Sequence, residues 1–301
     1  MRTTLFGGTG LVGSGIAKNL TGVTELSAPT SSEVNLLDYA QVKDYFSRYK
    51  PNVVIMAAGK VGGIEFNSSN QLYQFQSNLQ MNLNVLNAAN ENNIEKLCLL
   101  SSSCIYPSTI DRPYSEEEVF KGLPEVTNEG YALAKSTAIR ALKIFRDMGK
   151  NDWFAVIPTN IYGLEDNFSK TGHLIGSTIN KFITNKNQDK INFLGTGIAK
   201  RQYLHNNDLG NCINMLIQKE LVPEIINIST KETFTVKEII LQIASIFDFK
   251  GEIIFDGNTN FDGNLDKSLS TEIINKMGWT SNIQLEHGLQ HIISNLLDSS
   301  N

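Results

Sequence analysis

The first half of the chain alternates two patterns. TTLFGG (3–8), TELSA (24–28), NVVIMAA (52–58), KLCLLSSS (96–103) and DWFAVIPTNIYG (152–163) are short, mostly apolar runs, the pattern of strands buried on both faces. Between them LVGSGIAKNL (11–20), YAQVKDYFSRYK (39–50), a stretch from about Asn70 to Asn92, and NEGYALAKSTAIRALKIFRDMG (128–149) carry helical spacing. Asp38 is placed to cap the second of these helices, and Gly149 to end the last. Strands alternating with helices imply βαβ units and a parallel sheet. The second half has shorter segments rich in Asn, Gly and Lys. There VKEIILQIASIF (236–247) reads as an amphipathic helix and EIIFDG (252–257) as a strand. The expected fold is α/β. A Rossmann-type, doubly wound parallel sheet spans 1–165, with part of 203–235 returning to it. A smaller, partly interleaved C-terminal domain, mainly 166–301, is expected to bind substrate.

Composition narrows the function classes. The 301 residues are 41% hydrophobic and 19% charged, with a formal net charge of -5, which is ordinary globular composition. Without a Lys/Arg-rich tract, neither nucleic acid nor an anionic membrane surface is an expected partner. No apolar run approaches the length of a membrane span, and glycines interrupt the apolar start of the chain too early for a signal peptide. Cys98, Cys104 and Cys212 are odd in number and widely spaced, so neither a disulfide framework nor a metal site is expected. These features suit a soluble protein of the reducing cytoplasm.

Three stretches carry candidate chemistry. In GGTGLVG, Gly7, Gly10 and Gly13 lie between the first strand and the first helix. Glycines there let a pyrophosphate approach the helix N-terminus, where backbone N–H groups point outward. The spacing resembles that of short-chain dehydrogenase/reductases. An acid selecting NAD would stand at the tip of the second strand; Thr30, Ser31 and Ser32 stand there instead, with Glu33 a little later. Small hydroxyls can accept a 2′-phosphate, so NADP is favoured, although no arginine is present to clamp it. In GYALAK (130–135), Tyr131 and Lys135 are i and i+4 and share a helical face. A lysine cation beside a phenol is expected to lower the phenol pKa. With Ser102 they form a carbonyl-reducing triad: two hydroxyls hold the carbonyl oxygen while the nicotinamide delivers hydride. In SSSCIYP (101–107), Cys104 is not needed for that triad. A thiol there can act as base toward a proton acidified by an adjacent ketone. Of four histidines, His173 is the best candidate for the acid on the opposite face.

Taken together, KVGGI (60–64), SSSCIYP, TNEGYALAK (127–135), IPTNIYG (157–163) followed by DNF (166–168), and GHLIG (172–176) resemble the GDP-L-fucose synthase family. The resemblance runs along nearly the whole chain. It implies an extended short-chain reductase, commonly a homodimer, using NADPH. Such an enzyme epimerises C3 and C5 of GDP-4-keto-6-deoxy-D-mannose and then reduces C4. It implies Cys104 as epimerisation base and His173 as acid, with Ser102, Tyr131 and Lys135 serving reduction.

Cofactor contacts are implied at Gly7, Thr9, Gly10, Leu11, Val12 and Gly13, then at Ser31, Ser32, Asn35 and Leu36. Others are implied at Ala57, Ala58, Leu100 and Ser101, and at Tyr131, Lys135, Pro158, Asn160, Ile161 and His173. Substrate contacts are implied at Val61, Gly62, Ser103, Asn160, Lys181, Leu194, Arg201 and Asp262.

The chain departs from the family in places. Pro29, Ser31 and Ser32 replace basic residues near the 2′-phosphate, Leu194 stands where tryptophan is usual, and Asp266 replaces a positive charge. A GDP-L-colitose synthase, which acts on the 3-deoxy ketosugar and epimerises only C5, would keep the same five catalytic residues. Plain C4 reduction or 4-epimerisation would not need both Cys104 and His173. A dehydratase would want an acidic pair at Ser103-Cys104. A non-catalytic NADP sensor would not need the intact triad.

Overall fold

The computed structural model describes residues 1–108 and 113–298. Twelve strands form among the described residues: β1 (Arg2–Phe6), β2 (Glu25–Ser27), β3 (Val53–Met56), β4 (Lys96–Leu100), β5 (Trp153–Pro158), β6 (Asn160–Tyr162), β7 (Lys190–Phe193), β8 (Lys200–Arg201), β9 (Tyr203–His205), β10 (Ile225–Ile228), β11 (Phe234–Thr235) and β12 (Glu252–Phe255). The α-helices are α1 (Leu11–Asn19), α2 (Tyr39–Tyr49), α3 (Ile64–Ser69), α4 (Gln71–Glu91), α5 (Glu129–Asp147), α6 (Leu174–Asn185), α7 (Asn206–Gln218), α8 (Val236–Ile246), α9 (Glu272–Lys276) and α10 (Leu285–Asp298).

Six strands make one parallel sheet in the order β10-β5-β4-β3-β1-β2. The strand alternation of the sequence explains its two faces. Leu97, Leu99, Trp153, Ala155 and Ile157 point to one side, where α2, α4 and α5 cover them. Cys98, Leu100, Phe154 and Val156 point to the other, against α1 and α7. Both sets are buried, which is why these strands read as continuous apolar runs. A third apolar cluster joins α6, α8 and α10 with β7, β9 and β12. The chain passes between these cores repeatedly. After α6 and β7 it returns to the sheet as α7 and β10, and later Ile274 and Trp279 pack there too.

Several expected strand ends shift. β1 stops at Phe6 because Gly7 turns to φ +85°. β4 stops at Leu100, since the Ser102 hydroxyl accepts the Cys104 N–H and starts a 3-10 turn over Ser103–Ile105. The expected fifth strand divides at Thr159, whose hydroxyl donates to the Gln202 carbonyl at 3.1 Å. That bond sends Asn160–Tyr162 away from the sheet to pair with β9. Asp38 caps α2 as expected, accepting the Gln41 N–H at 3.2 Å.

Candidate active site

The strand order reverses direction of travel between β1 and β3, and ligands of open parallel sheets bind outside the strand ends at such a point. The turn after β1 is shaped for close approach. A Cβ on Gly13 would lie 2.0 Å from the Gly7 carbonyl oxygen, and one on Gly7 2.7 Å from the Ala58 nitrogen. Gly10 carries no such crowding and gives α1 no side-chain cap. Uncapped N–H groups above a glycine turn are a cradle for a pyrophosphate. Thr9 and Gly10 are exposed on it, while Leu11 and Val12 are half-buried. Ala57 and Ala58 follow β3, and the Ala57 N–H donates to the Phe6 carbonyl at 3.0 Å. At the tip of β2, Glu33 folds back to accept the Thr30 N–H at 2.7 Å and the Thr30 hydroxyl at 2.9 Å. Ser31 and Ser32 stay exposed beside it. Asn35 is exposed, whereas Leu36 is buried and offers its carbonyl to Asn84.

Of the expected reaction residues, Ser102, Cys104, Tyr131 and Lys135 gather near the end of β4. Leu100 and Ser101 are buried, and the Ser101 N–H donates to the Val156 carbonyl at 2.8 Å. Ser102 and Cys104 are half-buried and Ser103 is buried. Tyr131 and Lys135 share the inner face of α5, both buried. The Lys135 ammonium donates to the Leu100 carbonyl at 2.9 Å and sits 5.9 Å from the Tyr131 ring centre.

The expected depression of the Tyr131 pKa is not found. Burial pushes the phenol above its ordinary value, and the nearby Cys104 adds to that. A hydrogen bond from Ser102 opposes the rise. Burial lowers Lys135 to about 8, because an ammonium is costly to desolvate. Two hydroxyl groups and a thiol therefore meet at one point, with an amine behind them. Pro158 ends β5 buried, Asn160 is exposed and Ile161 half-buried. His173 is exposed at the N-cap of α6.

The predicted substrate residues fall into three groups. Val61 and Gly62 lie on the loop after β3, with Val61 exposed. Ser103 and Asn160 stand with the residues at the ends of β4 and β5, and Lys181, Leu194, Arg201 and Asp262 lie around the third core. Lys181 donates to the Asn192 carbonyl and lies 4.4 Å over the Phe193 ring. Next along the chain Leu194 is 62% exposed, a free apolar surface where the turn begins.

Asp262 braces a turn. Its two oxygens accept the Thr196 N–H at 2.8 Å and the Thr196 hydroxyl at 2.7 Å. The carboxylate thereby holds the Gly195–Thr196 turn. Arg201 donates to the carbonyls of Asn264 at 2.8 Å and Asp262 at 3.2 Å. Asp266 is held by Ser268, while Lys267 pairs with Glu125. Burial raises the Glu125 carboxyl, but Lys267, Thr127 and Arg201 outweigh it and hold it below the ordinary value. Glu125 lies just before α5, so this polar patch reaches the helix that carries Tyr131.

Some residues that shape the site carry no sequence signature. The Asn206 amide donates to the Leu11 carbonyl at 3.0 Å and to Glu165 at 2.9 Å, and Glu165 also pairs with Lys18. This joins the first helix to the segment leading to His173. A polar cavity of about 590 Å³ is lined by Lys200, Gln202, Lys231, Glu238 and Asp266. No member of the triad lines it; it borders the polar patch of Asp266 and Ser268 instead.

A parallel sheet with a glycine cradle and a Ser-Tyr-Lys set defines a nucleotide-dependent enzyme of the extended short-chain type. Residues 3–229 match the NAD dependent epimerase/dehydratase family, and the chain belongs to it. The chain is 33% identical to a GDP-L-colitose synthase of Yersinia pseudotuberculosis over 307 residues, covering 100% of this chain and 99% of the relative. It is 34% identical to the GDP-L-fucose synthase of Escherichia coli (strain K12) over 304 residues, covering 96% and 94%. The fold also matches a GDP-L-fucose synthetase of Naegleria fowleri, solved with NADP bound, at TM-score 0.90 and 22% identity, covering 99% of this chain and 94% of that one.

Proposed function

We propose that this chain is an NADPH-dependent epimerase/reductase of a GDP-4-keto-6-deoxy-hexose, making GDP-L-fucose from GDP-4-keto-6-deoxy-D-mannose. The observation that carries the reading is the half-buried Cys104, whose N–H donates to the Ser102 hydroxyl at 3.3 Å and whose thiol lies near Tyr131. A base for a carbon acid and a proton donor for a carbonyl oxygen stand at one site. The full-length likeness to two GDP-sugar enzymes supports the substrate class.

The glycine cradle and the β3 and β4 ends fit a dinucleotide, held by Gly7 to Gly13, Ala57, Ala58 and Leu100. NADPH bound there supplies the hydride for C4. The chain's own groups do the rest. Cys104 Sγ takes the proton next to the ketone, and the Ser102 and Tyr131 hydroxyls hold the enolate oxygen. His173 returns a proton to the opposite face of the same carbon. In reduction Tyr131 gives its proton to the oxygen at C4, and Lys135 behind it stabilises the phenolate that forms. The unit of α6, α8, α10, β7 and β12, reached by Arg201, Lys181 and Leu194, would take the nucleotide end.

A second reading is GDP-L-colitose synthase, favoured by the equal likeness to that relative. The cytoplasm suits three free thiols. A homodimer built on α4 and α5 is part of the proposal, since these helices leave Leu72, Tyr73 and Ile144 exposed.

The test is one incubation in deuterated water with NADPH and GDP-4-keto-6-deoxy-D-mannose, read by NMR. Deuterium at C3 and C5 of a reduced L-sugar is expected. Brisk turnover only of the 3-deoxy ketosugar, with deuterium at C5 alone, moves the answer to colitose. NADPH oxidation without deuterium at either carbon overturns the epimerase role.

A further inference from the structure

The loop after β3 makes contact on two sides. A Cβ on Gly59 would lie 3.7 Å from the Lys135 ammonium. Four residues on, the Gly63 N–H donates to the Thr171 carbonyl at 3.3 Å, two residues before His173. One short loop therefore spans from the lysine behind the reduction site to the segment carrying the proposed epimerisation acid. Gly59, Lys60 and Val61 are exposed, so the loop has no apolar anchor of its own.

Its anchor is a row of buried carboxamides. The Asn78 side chain clamps Lys60 from both sides, accepting its N–H at 2.8 Å and donating to its carbonyl at 2.9 Å. Gln74, one turn earlier on α4, donates to Asn67 at 2.6 Å. The same Asn67 oxygen accepts the Gly62 N–H at 3.1 Å. The Asn67 amide then donates to Asn128 at 2.7 Å, and Asn128 is the N-cap of α5. Asn67, Gln74, Asn78 and Asn128 are all buried. Burying four carboxamides is costly unless they pair with one another or with backbone. A helix packed on a sheet needs none of them.

We propose that Asn67, Gln74 and Asn78 are positioning residues. They fix the Gly59–Gly63 loop against the N-terminus of α5, so that the reduction and epimerisation groups face one bound sugar in register. The inference rests on the epimerase/reductase reading. It extends that reading by assigning the coupling of the two half-reactions to a relay that touches neither reacting atom.

The experiment compares wild type, Asn67→Leu and Asn67→Asp. The aspartate keeps the acceptor for Gly62 and Gln74 and puts a carboxylate oxygen against the Asn128 oxygen where the donor stood. Amide exchange is read by mass spectrometry, NADPH affinity by fluorescence, and both half-reactions by deuterium wash-in and NADPH oxidation. In Asn67→Leu, faster exchange is expected within 59–63 and not in the β-sheet, with NADPH affinity kept within twofold. Epimerisation and reduction should fall together, by tenfold or more in kcat/KM per cofactor-binding site. Asn67→Asp should recover part of both. Should Asn67→Leu not fold, Gln74→Met gives the same readouts. Unchanged kinetic constants per site, or a slowing of one half-reaction alone, overturns the relay. Wild-type protein that binds NADPH but turns over no GDP-ketosugar overturns the functional reading instead, and the exchange result still decides whether the relay holds the loop.

Discussion

The Lys135 ammonium rests on the Leu100 carbonyl at 2.9 Å, tying the middle of α5 to the last residue of β4. One buried amine thereby links the helix of the proton donor to the strand that presents Ser102. The link is made at a cost, because burial brings Lys135 down to about 8.

That cost gives a pH-dependent stability. Between about pH 8 and the ordinary lysine value of 10.5, the unfolded chain binds more protons at this site than the folded one. Stability from this site therefore rises with pH across that window, and the penalty is complete below it. The shift corresponds to about 3 kcal/mol at neutral pH. In the absence of added NADPH, Lys135→Met should unfold at a higher denaturant midpoint than wild type at pH 7. The gap should shrink as pH rises past 8. A constant gap from pH 7 to 10 would contradict the assignment.

Tyr131→Phe removes the proposed proton donor and little volume. Reduction should fall at least a thousandfold, while NADPH still binds with near-normal affinity by fluorescence titration. Near-normal turnover would sink the assigned role.

Cys104 is the accessible thiol of the three. Cys98 and Cys212 are buried, and burial pushes both thiols up. Iodoacetamide should label Cys104 first, and labelling should track the loss of deuterium wash-in. Cys104→Ser should slow epimerisation more than hydride transfer to an already epimerised intermediate. Equal loss in both steps would remove its role as base.

Gly13→Ala puts a methyl group 2.0 Å from the Gly7 carbonyl. The turn must open, so dinucleotide affinity should drop by tenfold or more while the far-UV circular dichroism stays native. Unaltered affinity would mean that the cradle does not hold the pyrophosphate.

At the tip of β2, Ser31 and Ser32 are exposed and Glu33 is folded onto Thr30. kcat/KM with NADPH should exceed that with NADH. Comparable values would show that Glu33 swings out to meet a ribose hydroxyl.

Much of the sheet was legible because its strands are apolar on both faces, as in KLCLL and WFAVIP. The shared face of Tyr131 and Lys135 was legible because i, i+4 spacing survives any packing detail. The helices α6, α7 and α10 were not read as elements. In α7, Asn206, Asp208 and Gly210 are buried, so polar residues occupy inward positions where periodicity looks for apolar ones. Asp208 is there to accept the Asn282 and Ile283 N–H groups, a partner more than seventy residues away. The pKa of Tyr131 was misjudged for a related reason. Spacing places Lys135 on the right face, but only the fold shows that its ammonium turns to Leu100 and that burial dominates the phenol.

The return of the chain to the sheet has a consequence for synthesis on the ribosome. A nascent chain emerging as far as Pro158 already contains Ser102, Cys104, Tyr131 and Lys135. Yet Cys98, Leu100, Phe154 and Val156 still lack the residues of α7 that cover them, and the β5 edge still lacks β10. The half with the proposed catalytic residues is thus the earlier-made but not the earlier-finished part, and its exposed face must be kept from other chains until residue 228 has left the tunnel.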